Sequence, residues 1–177
     1  GDLATLKTVD DANGNNALAI TVTDTSAAAA DLNTVDGLTT VAITATAVET
    51  ITGTAANILT AIGSSGITTD GDYAVTLSAG TAAAADLNTI AGDTSGAINA
   101  SLVTTITGTA ANILSAAAAG TITTKADYAA TVNSGTASVA NINTLDADTT
   151  GVITATVTEG DLATLKTVDD ANGNNAL

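Results

Sequence analysis

The stretch VETITGTAANIL at residues 48–59 decides the fold, because it returns with one change as VTTITGTAANIL at residues 103–114. Its first half is a β-branched run in which Ile alternates with Thr, a period of two that is typical of a strand with one buried face. Its second half is rich in Ala and Leu, which favour helix, and a Thr stands just before them as an N-cap. Each copy therefore predicts a strand followed by a short helix.

The whole chain is repetitive, with one period that separates the two copies of this stretch and a longer one that separates the two ends of the chain. The two copies of this stretch begin at residues 48 and 103, and the two tyrosines, Tyr73 and Tyr128, are separated by the same offset. Residues 1–18 recur without change at residues 160–177. We therefore expect residues 1–159 to form one super-repeat and residues 160–177 to begin the next.

One Asp or Asn residue opens each Ala-rich segment. These residues divide the super-repeat into six coils of about 20–29 residues, a length typical of solenoids, arranged in three pairs of which the last is shortened. Stacking of the coils would bring these side chains into a column, where carboxylates and amides can form a ladder. The alternative is that Asp and Asn simply exchange at positions that favour a helix start. The ladder residues are Asp2, Asp31, Asn57, Asp86, Asn112, Asn141 and Asp161.

The pattern predicts an α/β solenoid of stacked coils, with parallel strands on one face and short Ala-rich helices on another. The alternative is an all-β solenoid, because Ala-rich segments can also form tight β-arcs. Apolar residues make up 45% of the chain, but its only aromatic residues are two tyrosines, so we expect a narrow aliphatic core. The predicted strands are residues 19–22, 42–47, 49–52, 73–77, 104–107 and 152–157.

Charge and composition argue against several classes of function. The net charge of −15 predicts no nucleic-acid partner, because binding phosphate requires clusters of Lys or Arg. No apolar run reaches the roughly 18 residues of a membrane span. The chain has neither His nor Cys, so it offers no imidazole base, no thiol nucleophile and no soft metal ligand. We therefore expect a protein that is not an enzyme.

Three turns rich in carboxylates and amides could bind calcium, which prefers oxygen ligands. The alternative is that Asp, Asn and Gly are present because they form good turns, and Lys125 replaces Asp70 in the paired coil. No other cofactor is expected. The candidate ligands are Asp10, Asp11, Asn13 and Asn15 in the first turn, Asp70 and Asp72 in the second, and Asp146 and Asp148 in the third.

Threonine pairs separated by one residue recur along the predicted strands. A flat array of such pairs could bind ice, whereas Thr is also an ordinary residue on the solvent face of a strand. The pairs fall at different positions of the coil, which argues against a regular array. They are Thr21/Thr23, Thr44/Thr46, Thr50/Thr52, Thr105/Thr107 and Thr154/Thr156.

The sequences TAAAADLNTIAGDTSGAINAS at 81–101 and TITGTAANIL at 105–114 resemble repeats of giant tandem-repeat proteins that bacteria, notably marine cyanobacteria, secrete or attach to the cell surface. Every coil carries a version of these motifs, so the resemblance covers essentially the whole chain. It implies export, repetition and a role at the cell surface or in the matrix. It implies no catalytic residues.

The expected function is therefore structural: the repeat unit of an extracellular surface fibre or filament, built by stacking coil on coil. A solenoid without capping sequences leaves open sheet edges, which predicts self-association through the open ends or by lateral bundling. An adhesin stalk, in which the same solenoid acts as a spacer, is the alternative. A calcium- or ice-binding module is a third interpretation.

Overall fold

The computed structural model describes residues 1–12, 14, 16–133 and 135–176. The chain divides into two compact units, Gly1–Ser78 with Thr89–Ile98, and Ala79–Asn88 with Asn99–Leu177. Both are built from short helices and parallel strands, and the sheets are not closed. The prediction of an α/β fold with parallel strands and short helices is confirmed.

Seven helices and twelve strands lie in the described part of the chain. The helices are α1 (Leu3–Leu6), α2 (Ala29–Asp36), α3 (Ala55–Ile62), α4 (Ala84–Asp93), α5 (Ala110–Ala118), α6 (Val139–Asp148) and α7 (Leu162–Leu165). The strands are β1 (Ser26–Ala28), β2 (Ile43–Thr44), β3 (Thr50–Gly53), β4 (Ile67–Thr68), β5 (Ala74–Leu77), β6 (Gly80–Ala83), β7 (Ile98–Ala100), β8 (Val103–Gly108), β9 (Ile122–Thr124), β10 (Ala129–Val132), β11 (Ile153–Thr154) and β12 (Asn175–Ala176).

Strand pairing in the first unit follows a constant register. Strand β3 pairs in parallel with β1 on one side and β5 on the other, so that Ser26, Thr50 and Ala74 are aligned. In a second ladder β2 pairs with β4, and Ile43 is aligned with Ile67. These partners are separated by the same 24 residues that separate the hydrogen-bonded residues Asn33 and Asn57 of neighbouring helices. We call this separation the register step.

The second unit repeats the arrangement in a sheet with the order β12-β11-β10-β8-β6. Strand β8 aligns Thr105 with Thr81 of β6 and with Ala129 of β10, and both pairings are parallel. Pairing then continues from β10 to β11 and from β11 to β12. The register shifts between Gly80 and Thr81, where β6 begins. The step also shortens toward β12, because Ala130 is aligned with Ile153 and Ile153 with Asn175, which are 23 and 22 residues apart.

The register step is shorter than half of the sequence repeat, which is the separation of Tyr73 and Tyr128 along the chain. Because of this difference, equal sequences lie in different sheets. TITG occurs in both β3 and β8. Strand β3 lies between β1 and β5, whereas β8 lies between β6 and β10. Because a strand pairs through its backbone, the same four side chains serve in both places.

The Ala-rich segments are divided between strand and helix, which the sequence pattern did not predict. Their first residues form β1 and β6, and α2 and α4 follow directly. Alanine favours helix, but β3 and β8 offer backbone partners to these first residues. Pairing with the neighbouring strand therefore outweighs the helical preference of these alanines until the strand ends. Of the predicted strand at 19–22, the structure has only an isolated bridge from Thr21 to Thr44.

The core consists of small aliphatic side chains, as the composition predicts. Ile51 of β3 and Ile58 of α3 are completely buried, and Ile106 and Ile113 occupy the matching positions in β8 and α5. The two tyrosines are the largest buried side chains. None of the helices in the described part of the chain combines the length and apolar character that a membrane span requires.

Candidate functional site

The ladder residues lie at or near the first turns of the helices. Asp2 caps α1 by accepting the Thr5 N–H at 2.9 Å, and Asp161 caps α7 by accepting the Thr164 N–H at 2.8 Å. These hydrogen bonds from the backbone, supported by the threonine hydroxyls, hold the pKa of both carboxyl groups below the ordinary value. An N-cap carboxylate satisfies a helical N–H that has no partner within the helix.

The other ladder residues have different local partners. Asp31 accepts a hydrogen bond from Lys7 Nζ at 2.7 Å, and Asp86 lies in the first turn of α4. The N–H groups of Asn57 and Asn112 donate to the hydroxyls of Thr54 and Thr109, which are the N-caps of α3 and α5. Asn141 forms a capping box with Ser138 at the start of α6. The hydrogen-bonded column itself stays a prediction.

A second set of asparagines connects one register step to the next. The side-chain amide of Asn33 donates to the Asn57 carbonyl at 3.0 Å, and that of Asn88 donates to the Asn112 carbonyl at 3.1 Å. Asn143 repeats the contact with the Thr167 carbonyl at 2.8 Å. Each bond spans 24 residues. Each donor follows its ladder residue by two positions, within DLNTV, DLNTI or NINTL.

Sequence reasoning missed these three asparagines although a signal was present. The ladder position changes between Asp and Asn, whereas the Asn-Thr pair two positions later is the same in all three segments. A residue that stays constant while its neighbours vary within an internal repeat indicates a contact that only that side chain makes. Here the contact needs an amide N–H donor.

The first predicted calcium turn is only partly described. Asn13 and Asn15 lie outside the described residues. The Asp11 side chain accepts the Asn16 N–H at 3.2 Å, and the Asp10 carbonyl accepts from the Asn16 side chain at 2.9 Å. The described contacts are those of a turn stabilised by Asp and Asn side chains.

The other two predicted turns differ in burial. Asp70 and Asp72 are not buried. Asp146 is buried, with one carboxylate oxygen that has no hydrogen-bond partner, whereas Asp148 accepts from the Tyr128 hydroxyl at 2.8 Å. Within residues 1–12, 14, 16–133 and 135–176, no group of three or more Asp and Glu side chains is placed to hold a metal ion.

A pocket of about 350 Å³ lies beside the third turn. Asp146, Asp148 and Asp169 contribute to its wall, together with Asn143 and Asn172. The Asn172 side chain donates to the Asp146 carbonyl at 2.8 Å. The pocket thus lies where residues 160–177 pack on α6.

Each tyrosine joins two segments of the chain that are distant in sequence. In the second unit, the Tyr128 hydroxyl donates to Asp148, and the Thr149 hydroxyl donates to the Tyr128 carbonyl at 2.6 Å. In the first unit, Tyr73, Asp93 and Thr94 form the same set of contacts. Burial, reinforced by the hydrogen bond to the carboxylate, raises the pKa of both phenols well above the ordinary value. We call each set a tyrosine brace.

A glycine completes each brace. The Gly96 N–H donates to the Thr94 hydroxyl, and the Gly151 N–H donates to the Thr149 hydroxyl, both at 3.0 Å. A methyl group on either glycine would overlap the backbone oxygen of Tyr73 or Tyr128. The sequence signal was the motif DYA, at 72–74 and 127–129, followed by DTSG at 93–96 and by DTTG at 148–151.

The threonine pairs do not share one sheet. Thr50 and Thr52 belong to β3, whereas Thr105 and Thr107 belong to β8 with its separate neighbours. Thr154 lies beside Thr131 in the same sheet as β8. The pairs therefore lie in more than one ladder, and ice binding stays a prediction.

The chemistry of these groups is mainly that of hydrogen-bonded connections: amide donors, caps and braces that tie one register step to the next. The exposed acidic side chains add a negative surface. No family model matches this chain, and neither a curated protein nor a solved structure matches it.

Proposed function

We propose that this protein is the repeat unit of an extracellular surface fibre or filament, and that its coils stack as an α/β solenoid. In this proposal the protein has a structural role and no catalytic one. The observation that carries the proposal is the register step of 24 residues, which recurs in strand pairings and in the asparagine contacts of both units.

The side-chain contacts support stacking because they join each register step to its neighbour. The amides of Asn33, Asn88 and Asn143 each bond a carbonyl 24 residues away. Each helix is short and has only a narrow apolar stripe, so it is not stable by itself. Neighbouring steps must therefore cover that stripe, which is the condition under which solenoids are stable.

The open sheets support assembly of many repeats. The sheets are not closed, and the edge strand of an open sheet presents backbone groups that another strand can bind. A repeated chain can continue such an edge without any new sequence. The resemblance to bacterial surface proteins supports an extracellular location.

Electron microscopy with antibodies against this chain tests the proposal on the cells that produce the protein. We expect the label to follow filaments or fibres outside the cell. A label confined to the cell interior, or to particles of uniform compact shape, would contradict the proposed role.

A further inference from the structure

Asp146 in α6 carries a buried carboxylate whose charge the protein does not compensate. The residue is 4% exposed, and in the part of the chain that the structure describes no donor reaches its Oδ1 atom. A buried charge is strongly unfavourable unless hydrogen bonds or an opposite charge accompany it. The neighbouring side chains therefore leave this charge uncompensated.

The equivalent positions of the repeat show that the fold does not require this carboxylate. The same position follows an Asn-Thr pair in the segments NTVD, NTIA and NTLD, where it holds Asp36, Ala91 and Asp146. Asp36 accepts a hydrogen bond from the Ser64 hydroxyl at 2.7 Å, and Ala91 has no polar side chain. The repeat thus accepts either an alanine or a carboxylate with a donor. An unpaired carboxylate at the third position indicates a partner from outside the chain.

The pocket beside Asp146 has acidic groups from two segments of the second unit. Asp146 and Asp148 contribute to it from α6, and Asp169 contributes from the segment that packs on this helix. The Asn172 side chain donates to the Asp146 carbonyl at 2.8 Å. The Asn143 side chain accepts the Asp169 N–H, also at 2.8 Å. These two hydrogen bonds hold the acidic residues of both segments around one space of about 350 Å³.

No cationic side chain of the described residues lines this pocket. The chain has three lysines and no arginine. Lys7 and Lys125 are paired with other carboxylates, and Lys166 does not contribute to the pocket wall. The net charge of −15 raises the concentration of small cations around the protein. A cation from solution is therefore the compensation available to Asp146.

The lining and the size of the pocket favour a hard divalent cation that keeps part of its water. Carboxylate, amide and carbonyl oxygens are the ligands that such cations prefer. Among the described residues, no three acidic side chains are placed to hold a metal ion directly. A space of about 350 Å³ holds roughly ten waters, at about 30 Å³ for each. Water can therefore connect the cation to acidic groups that it does not touch.

We propose that this pocket binds one hydrated divalent cation, magnesium or calcium. The Asp146 carboxylate contacts the cation directly, and Asp169 contacts it through water. Asp148 adds negative charge, while one of its oxygens accepts from the Tyr128 hydroxyl. The cation joins α6 to residues 169–172 and compensates the buried charge. The site goes beyond the proposed function, because binding requires only one chain.

Terbium, a hard ion that replaces calcium in oxygen-ligand sites, tests the pocket through tyrosine emission. Tyr73 and Tyr128 are the only aromatic residues of the chain, and Tyr128 donates to a residue of the pocket wall. Excitation of tyrosine is expected to produce terbium emission, which Tyr128→Phe abolishes. Tyr73→Phe should keep the emission, because Ala91 takes the place of Asp146 in that part of the repeat. Displacement by calcium and by magnesium gives the affinity for each.

Substitutions at the equivalent positions test the ligand itself. Asp146→Ala introduces the residue of position 91 and is expected to weaken calcium and magnesium binding by more than about tenfold in isothermal titration calorimetry. Asp36→Ala is the control, and its affinity should equal that of the unmodified chain. Both variants lose one negative charge, so a difference between them does not come from diffuse screening. Asp146→Asn keeps the shape of the side chain and carries the same test if the alanine variant does not unfold cooperatively.

Thermal unfolding at fixed ionic strength gives a second readout. Calcium or magnesium is expected to raise the melting temperature of the unmodified chain and of Asp36→Ala, because a cation that binds the folded state stabilises it. Asp146→Ala should show no such rise. In EDTA it should melt at or above the temperature of the unmodified chain, because it lacks the uncompensated charge.

Three results would overturn the cation site. The first is an unmodified chain that binds neither calcium nor magnesium at millimolar concentration. The second is unchanged affinity in folded Asp146→Ala or Asp146→Asn. The third is an equal loss of affinity in Asp36→Ala, which would show that cations respond only to the total charge.

Discussion

At the scale of single residues, the tyrosine braces are the most specific feature of the molecule. Each combines a buried phenol, a carboxylate, a threonine hydroxyl and a glycine whose N–H donates a hydrogen bond to that hydroxyl. The sequence predicted that Tyr73 and Tyr128 are equivalent, because they share the repeat offset. It could not identify their hydrogen-bond partners. The length of chain between each tyrosine and the Asp that follows it decides which carboxylate the phenol reaches.

Substitution of Gly by Ala is expected to have opposite effects on stability at two positions in the first unit. Gly96→Ala is expected to destabilise the protein by ~1–3 kcal/mol, because its methyl group would overlap the Tyr73 carbonyl. Gly92→Ala is the control, since nothing surrounds that position in α4. It is expected to stabilise the protein by ~0.5–1 kcal/mol through higher helix propensity. Urea unfolding measures both, and equal effects would contradict the brace.

The braces also predict a loss of stability at alkaline pH. The pKa of both phenols is raised in the folded chain by burial and by the carboxylate, so above pH ~10 the unfolded chain releases protons that the folded chain keeps. The contribution of the braces is complete below that pH and falls as the pH rises. Urea midpoints are expected to decrease above it, and less so in the Tyr73→Phe, Tyr128→Phe variant. Parallel curves for the two proteins would contradict this.

At the scale of elements, the sequence predicted strand and helix types better than their partners. The strand and helix of TITGTAANIL were predicted in both copies, and β3, α3, β8 and α5 confirm them. The pattern could not show that the two copies belong to different ladders. The strand register is set by backbone pairing between neighbouring strands. The sequence period follows the positions at which helices begin, and its length differs from that of the register step.

The helix starts predict a local stability effect. Thr54 accepts the Asn57 N–H as the N-cap of α3, and Thr54→Ala is expected to cost ~1 kcal/mol. Thr60→Ala in the same helix is the control, because the Thr60 hydroxyl bonds only the Ala56 carbonyl at an exposed position. That change is expected to be neutral or slightly stabilising. Equal losses in urea unfolding would show that the cap contributes nothing.

At the scale of the whole molecule, composition was informative and site chemistry was not. An aliphatic, aromatic-poor core followed from residue counts. The calcium turns stay a prediction. No spacing rule could supply their side-chain contacts, such as the hydrogen bond that the Tyr128 hydroxyl donates to Asp148.

The net charge of −15 predicts that cations stabilise the fold. Screening shortens the Debye length from ~30 Å at ~0.01 M salt to ~8 Å at ~0.15 M, which reduces self-repulsion. The melting temperature is therefore expected to rise with sodium chloride, and further with calcium at equal ionic strength. Addition of EDTA should reverse the second rise. A melting temperature that changes with neither salt would contradict the prediction.

The length of a tandem array tests the central claim, which is that register steps stack without interruption. At 22 to 24 residues per step, the super-repeat at residues 1–159 makes about 6.6 to 7.2 steps. With strands about 4.8 Å apart, each super-repeat then adds about 32–35 Å of length. Cryo-electron microscopy of arrays with two and four super-repeats is expected to show straight rods that grow by this increment. Separate globules joined by linkers, or an increment unrelated to the register step, would contradict the account.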